Sequence, residues 1–176
     1  MPEIRRPKGP PLIGIVGWKN SGKTTLATSL IGAFTRRGLR VASVKHAHHD
    51  FQIDNDETDS ARHRRAGAAQ VAVVSSRRWA LVTELGSAPE PDLADIVARL
   101  EPCDLIIVEG YKAASIPKIE ARRRAARDHR PLSGEDPNVI AIAADHPVPD
   151  ERLPVFDLSA IEQIADFIAG RFALAD

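Results

Sequence analysis

Cysteine is almost missing from this chain. Cys103 is the only one, which excludes an intrachain disulfide and the small folds that depend on several, and fits a reducing, cytoplasmic setting. Net charge is missing too, because 24 Lys and Arg balance 24 Asp and Glu. No overall field therefore draws the chain to nucleic acid or to an anionic membrane. No apolar run approaches the roughly 20 residues that span a bilayer. The opening MPEIRRPKGPP is polar where a secretory signal would be apolar. No internal repeat is found. What remains is an ordinary globular composition, 43% hydrophobic over 176 residues, enough for one full core. The expectation is one soluble domain over 1–176, with 1–11 as a flexible N-terminus.

Against that plain background one stretch stands out. GWKNSGKTT, residues 17–25, fits G-x-x-x-x-G-K-[ST] through Gly17, Gly22, Lys23 and Thr24. In that pattern backbone N–H groups surround phosphate oxygens, the lysine reaches the β- and γ-phosphates, and the hydroxyl coordinates Mg²⁺. The flanks agree. PLIGIVG before it reads as a buried parallel strand. TTLATSLIGAFTRRG after it places Leu26, Leu30, Ile31 and Phe34 at helical spacing, with Gly38 as a stop signal. A helix beginning at the loop adds its positive end to the phosphate site.

The remaining chain alternates strand and helix signals. Strands are expected at 41–45, 70–76, 79–85 and 105–108, and within NVIAIAAD and LPVFDL. Helices are expected from Thr58 or Asp59 to Gly67, in PDLADIVARL, and in SAIEQIADFIAGRFA with Ser159 as N-cap. PLSGEDP, 131–137, reads as a loop. The fold class is α/β: a mainly parallel sheet flanked by helices, P-loop NTPase-like. Ligands of such sheets sit at the carboxyl ends of the strands. Residues 17–24, 45–50, Glu109 with Gly110, and Asp145 should converge there.

Each polar cluster has two readings. Glu109 closes the apolar run LIIV, where a carboxylate holds the Mg²⁺ shell or orients a water; the alternative is an exposed strand-end acid. Asp104, at the other end of that strand, reads as structural. KHAHHD offers His46, His48 and Asp50 as lining for a nucleotide or second substrate, or as an incomplete zinc set. Asp59 either approaches the metal and attacking water or caps a solvated helix. Arg122, Arg123 and Arg124 form either a solvated face or a receptor for an anionic ligand. Asp145 either accepts from guanine N1–H and N2–H₂ or turns the chain before Pro147.

Taken in order, GWKNSGKTTL, VKHAHHDFQID, DSARHRRAGAAQ, RWALVTEL, LIIVEGYK and VIAIAAD resemble the MobB-type molybdopterin-guanine dinucleotide biosynthesis adaptor proteins. The resemblance covers 12 to about 172. It implies a homodimeric P-loop GTP-binding protein with weak intrinsic GTPase activity. Its partners would be a MobA-type molybdenum cofactor guanylyltransferase and molybdopterin, with neither nucleic acid nor membrane. By position, Gly17, Asn20, Ser21, Gly22, Lys23, Thr24 and Thr25 would hold the GTP phosphates, and Thr24 and Glu109 the Mg²⁺. Lys23, Glu109 and Asp59 are the candidates for any hydrolysis. Lys45, His46 and His48 would face the nucleotide, with Arg78 on an anionic ligand and Asp145 on the base. ARRRAARDHRP departs from the family pattern. A small-molecule kinase and a metallochaperone GTPase are the alternatives on this scaffold.

Overall fold

The structure is a computed structural model that describes residues 9–47 and 58–174. In chain order its elements begin with β1 (Leu12–Val16), α1 (Lys23–Arg36), β2 (Val41–Lys45), α2 (Asp59–Arg65), β3 (Gln70–Val74) and β4 (Trp79–Thr83). They continue with α3 (Leu93–Val97), β5 (Leu105–Glu109), β6 (Lys118–Arg122), β7 (Val139–Ala144), β8 (Val155–Asp157) and α4 (Ile161–Phe172). The chain divides into two compact units, Met1–His46 with Ile96–Asp176, and Ala47–Asp95.

The first unit is built on a six-stranded sheet in the order β2-β5-β1-β6-β7-β8, parallel throughout. One face carries Ile13, Ile15, Ile107, Ile119, Ala141 and Ala143, which pack against Leu26, Leu30 and Phe34 of α1 and Ile164 and Ile168 of α4. Helical periodicity on α1 and α4 and alternation on the strands bring these residues to one layer. The Gly38 stop signal is used as such: its φ is +84°, and the backbone N–H of Arg37 closes onto Ala33 and Phe34. Ser159 does not cap α4. Its hydroxyl donates to Asp157, and the helix starts at Ile161 without a side-chain cap.

The second unit holds α2 and a β3–β4 hairpin, antiparallel with Val71 opposite Val82. Thr58 caps α2 by accepting from the Ala61 N–H at 3.3 Å. The hairpin forms its own two-stranded sheet, and Ser75 closes its turn by bonding both the N–H and the carbonyl of Arg78. Helix α3 is shorter than its pattern suggests. The Asp92 carboxylate accepts from Asp95 N–H at its start, and Arg99 and Leu100 close it with three-residue turns.

The largest difference from the sequence reading concerns residues 118–122, where no strand was expected. Lys118–Arg122 is strand β6, seated between β1 and β7 in the middle of the sheet. Ile119 and Ala121 face the helices, while Lys118 and Glu120, each only 1% exposed, sit on the opposite face. Their burial is possible because every charge is met. Lys118 Nζ donates to Asp136 at 2.5 Å and to the Lys112 carbonyl at 2.8 Å. Glu120 accepts from the Leu132 and Ser133 N–H groups and from Arg122. Arg122 reaches on to Glu151 at 3.2 Å and to the Ser133 hydroxyl. The expected loop at 131–137 is thereby pinned to β6. Opposite Lys118 on β1 stands Gly14, where a Cβ would lie 2.8 Å from Lys118 Cγ.

Two predictions follow from this layer. Gly14→Ala forces the Lys118 stem aside and should lower stability by about 1–3 kcal/mol, read by urea denaturation; a wild-type midpoint would contradict the packing. The second concerns acid. Burial alone would raise the Asp136 carboxyl, but the hydrogen bonds from Lys118 and Asn138 outweigh it and hold its pKa below the usual aspartate value. A depressed folded value makes the contribution complete above the unfolded pKa of about 3.9 and removes it as pH falls through the folded value. Asp136→Asn should therefore be less stable at neutral pH and lose less stability than wild type below pH ~4. Parallel acid profiles for the two proteins would argue against this pair.

Candidate functional site

The loop between β1 and α1 is shaped by three residues in left-handed conformations, Gly17 at φ +149°, Asn20 at +66° and Gly22 at +90°. Two of them have no room for a side chain. A Cβ on Gly17 would sit 2.4 Å from Ser21 Oγ and 2.5 Å from the Ala121 carbonyl, and one on Gly22 would sit 2.9 Å from Arg123 Cδ. α1 opens with no side-chain cap and no acid in its first turn, so its N-terminal amides and dipole face whatever the loop holds. Ser21 is 1% exposed, and its hydroxyl has no hydrogen-bond partner. A buried, unpartnered hydroxyl calls for a ligand oxygen or ordered water. The loop fits a phosphate group on that observation.

Beside the loop, on the β5 side, three charged or polar groups meet. Thr24 Oγ1 donates to Glu109 Oε1 at 2.6 Å, and Lys45 Nζ lies 3.3 Å from the same carboxylate and 3.4 Å from the Thr24 hydroxyl. The β2–β5 register sets this up by placing Lys45 next to Glu109. Lys23 Nζ donates to the Trp18 carbonyl at 2.7 Å. Burial first, then repulsion from Lys112 and Lys45, holds its pKa below the usual lysine value, against the pull of Glu109. Lys23 and Lys45 share the single acid Glu109, and Lys112 adds its repulsion on Lys23. An anion would relieve it.

His46 follows β2, with its N–H on the Glu109 carbonyl at 2.9 Å and its ring 4.7 Å from that of Tyr111. Gly110, at φ +91°, lets His46 approach to 2.9 Å from where a Cβ would stand. His48 lies outside the described residues, as does the rest of the KHAHHD turn from His48 onward. Among the described residues no group of three His, Cys, Asp or Glu side chains is placed to hold a metal.

On the β6 side stands Arg123, which the sequence left open between a solvated face and a receptor for an anionic ligand. A pocket of about 420 Å³ is lined by Asn20, Gly22, Lys23, Thr24 and Thr25 together with Arg123. Arg123 directly follows β6, so the rule that ligands gather at strand C-termini would have favoured the receptor had β6 been recognised. Trp18 was passed over. Its ring lies under Lys112 Nζ at 3.7 Å and Arg130 Cζ at 4.8 Å, and its indole N–H donates to the Arg130 carbonyl at 2.7 Å. Those contacts hold the loop from outside.

Asp145 follows β7, next along the same edge. It accepts from the Arg124 N–H at 2.9 Å, meets His146 Nδ1 at 2.9 Å and faces Arg123 Nε at 3.6 Å. The His146 contact, then the Arg124 N–H, holds its carboxyl below the usual aspartate value. Asp59 and Arg78 belong to the second unit. Asp59 is the first residue of α2 and sits 3.5 Å from Arg62; Arg78 stands in the hairpin turn.

The chain is similar to known proteins in both sequence and fold. The family model described as Molybdopterin guanine dinucleotide synthesis protein B (MobB) matches residues 12–145, from the start of β1 to Asp145. The molybdopterin-guanine dinucleotide biosynthesis adapter protein of Escherichia coli (strain K12) is 42% identical over 161 residues, 90% of this chain and 91% of that protein. The protein of the same description from Haemophilus influenzae is 40% identical over 161 residues, 90% of this chain and 87% of its own length. Among solved structures, a molybdopterin-guanine biosynthesis protein B (mobB) matches with a TM-score of 0.70 at 29% identity, covering 91% of this chain and 99% of that one. Bacillus subtilis MobB gives 0.68 at 26%, covering 89% and 96%.

The loop geometry makes a direct prediction. Gly17→Ala drives a methyl into Ser21 and the Ala121 carbonyl, so inorganic triphosphate should bind at least about tenfold more weakly, a loss of about 1.4 kcal/mol. Isothermal titration with far-UV circular dichroism as the folding check reads this. Wild-type affinity in a folded Gly17→Ala protein would remove the loop from the site.

Proposed function

The chain belongs to the MobB family, and on that premise we propose that it is a GTP-binding adaptor in the synthesis of molybdopterin guanine dinucleotide. The observation that carries this reading is the contact between the Thr24 hydroxyl and the Glu109 carboxylate at the loop. It joins a hydroxyl at the start of α1 to an acid at the end of β5, two hard oxygen donors of the kind Mg²⁺ takes. Thr24 and Glu109 would hold the ion, which when bound neutralises charge between the β- and γ-phosphates. The loop amides and Lys23 receive the phosphates; Lys45 keeps the Glu109 carboxylate in place and adds a second positive charge.

The same contacts support slow hydrolysis. A general base needs its oxygen free for the proton of the attacking water. The Glu109 carboxylate is bonded to Thr24 and faced by Lys45, which suits a metal-shell oxygen better than a base. Binding and delivery are then the main work. A MobA-type guanylyltransferase joins the guanine nucleotide to molybdopterin, and this chain assists it. Self-association into a homodimer belongs to the same proposal. Val74 and Trp79 of the β3–β4 hairpin, 75% and 64% exposed, supply apolar surface of the kind that lies at the centre of an interface.

Two measurements test the reading. Lys23→Ala removes a charge-assisted contact worth roughly 1.5–3 kcal/mol, so GTP affinity by calorimetry should fall about tenfold or more while the fold survives. Equal GTP binding by both proteins would sink the phosphate assignment. Light scattering at micromolar concentration should report twice the 19.1 kDa chain mass. A monomer throughout that range would remove the homodimer from the proposal.

A further inference from the structure

The loop is served from two sides of β1. On the β5 side stand Glu109 and Lys45, the pair assigned above to the metal and its shell. On the β6 side stands Arg123, to which the family and the loop motif assign nothing. We propose that Arg123 is a nucleotide-binding residue that contacts the phosphate chain from the β6 side, and that Asp145 is the positioning residue that aims it. This rests on the nucleotide-binding reading above and adds a residue to it.

Four observations carry the assignment. Arg123 lines the same pocket as the loop residues Gly22, Lys23, Thr24 and Thr25. Its side chain passes directly over Gly22, where a Cβ would meet Arg123 Cδ at 2.9 Å. The glycine therefore lets the arginine lie against the loop as well as allowing the left-handed turn. Its origin is fixed, because it follows the last residue of a central strand whose Val16–Glu120 register is set against β1. Finally, Asp145 faces Nε at 3.6 Å. Among the described residues the two terminal Nη groups make no hydrogen bond, and the ion pair with Asp145 is made at Nε. They form the planar fork that binds phosphate oxygens in pairs.

Asp145 is itself held, by the Arg124 N–H and by His146. A carboxylate fixed by neighbours of the arginine restrains a long, rotamer-rich side chain before any ligand arrives, and less ordering entropy is then lost on binding. The arrangement also separates duties. Charge on the β5 side answers the metal end, and charge on the β6 side answers the phosphates alone. The Arg123 contribution should therefore persist when Mg²⁺ is withheld.

The test is isothermal titration of GTP and ATP against wild type, Lys23→Ala, Arg123→Ala, Arg123→Lys, Arg124→Ala, Asp145→Asn and the double variant Arg123→Ala/Asp145→Asn, with and without Mg²⁺. The expected result is about a tenfold loss of GTP affinity in Arg123→Ala, with or without Mg²⁺, partial recovery in Arg123→Lys, and none lost in Arg124→Ala. Asp145→Asn should weaken GTP and ATP in the same ratio, and its effect should vanish once Arg123 is already alanine. Lys23→Ala losing affinity while Arg123→Ala keeps it would overturn the inference and leave the phosphate loop standing. Equal losses in Arg123→Ala and Arg124→Ala would reduce the effect to general charge and overturn it as well. A collapse of the GTP/ATP ratio in Asp145→Asn would make Asp145 the base reader and refute its positioning role. Wild-type affinity in Lys23→Ala would remove the nucleotide reading itself, and this inference with it.

Discussion

The close approach of β6 to β1 at two glycines sets most of what this site is. At Gly14 the missing Cβ makes room for the Lys118 stem, and at Gly17 it lets the loop turn against the Ala121 carbonyl. Side chains at either place would push β6 away from β1. The parallel pairing of residues 14–16 with 118–120 then carries the chain to Arg123 beside the loop, and β7, paired to β6, carries Asp145 to Arg123. One backbone constraint thus links the buried charges on one face of the sheet to the edge that carries the glycine loop.

Holding β6 there requires burying charge, and the unit meets that requirement by pairing the Lys118 ammonium and the Glu120 carboxylate. A lone buried ammonium or carboxylate would cost several kcal/mol. Lys118 has Asp136 and a carbonyl, while Glu120 has two backbone N–H groups and Arg122. Such networks add little to stability relative to an apolar core of the same shape, yet they are costly to break. They also hold the 131–137 loop against the strand.

This explains how much could be read from sequence. β1, α1, β2, β5 and β7 announce themselves by apolar periodicity, and the glycine-lysine-threonine loop by its spacing, so the loop from Gly17 to Thr24 was legible as a candidate site. Glu109 and Lys45 followed from their places at the ends of strands. β6 was hidden because KIEAR looks solvated until its partners are known, and those partners lie 18 residues away for Lys118 and 29 for Arg122. With β6 hidden, nothing told the solvated-face reading of Arg123 from the anion-receptor one. Ser159 was misjudged for a local reason: its hydroxyl bonds Asp157 two residues back, a competing bond that short polar side chains often make at turns.

The arrangement as a whole has cations on both flanks of the loop and one carboxylate committed to a hydroxyl and a lysine, which is what the proposed anion holder requires. That is the chemistry of retention more than of rapid turnover, and it suits a chain whose family works beside another protein. The most direct measurement of this account is a calorimetric titration of the purified chain with GTP, with Mg²⁺ present and then withheld. The account predicts saturable binding of one GTP per chain that tightens when Mg²⁺ is present. Absence of binding, or binding indifferent to Mg²⁺, would contradict it.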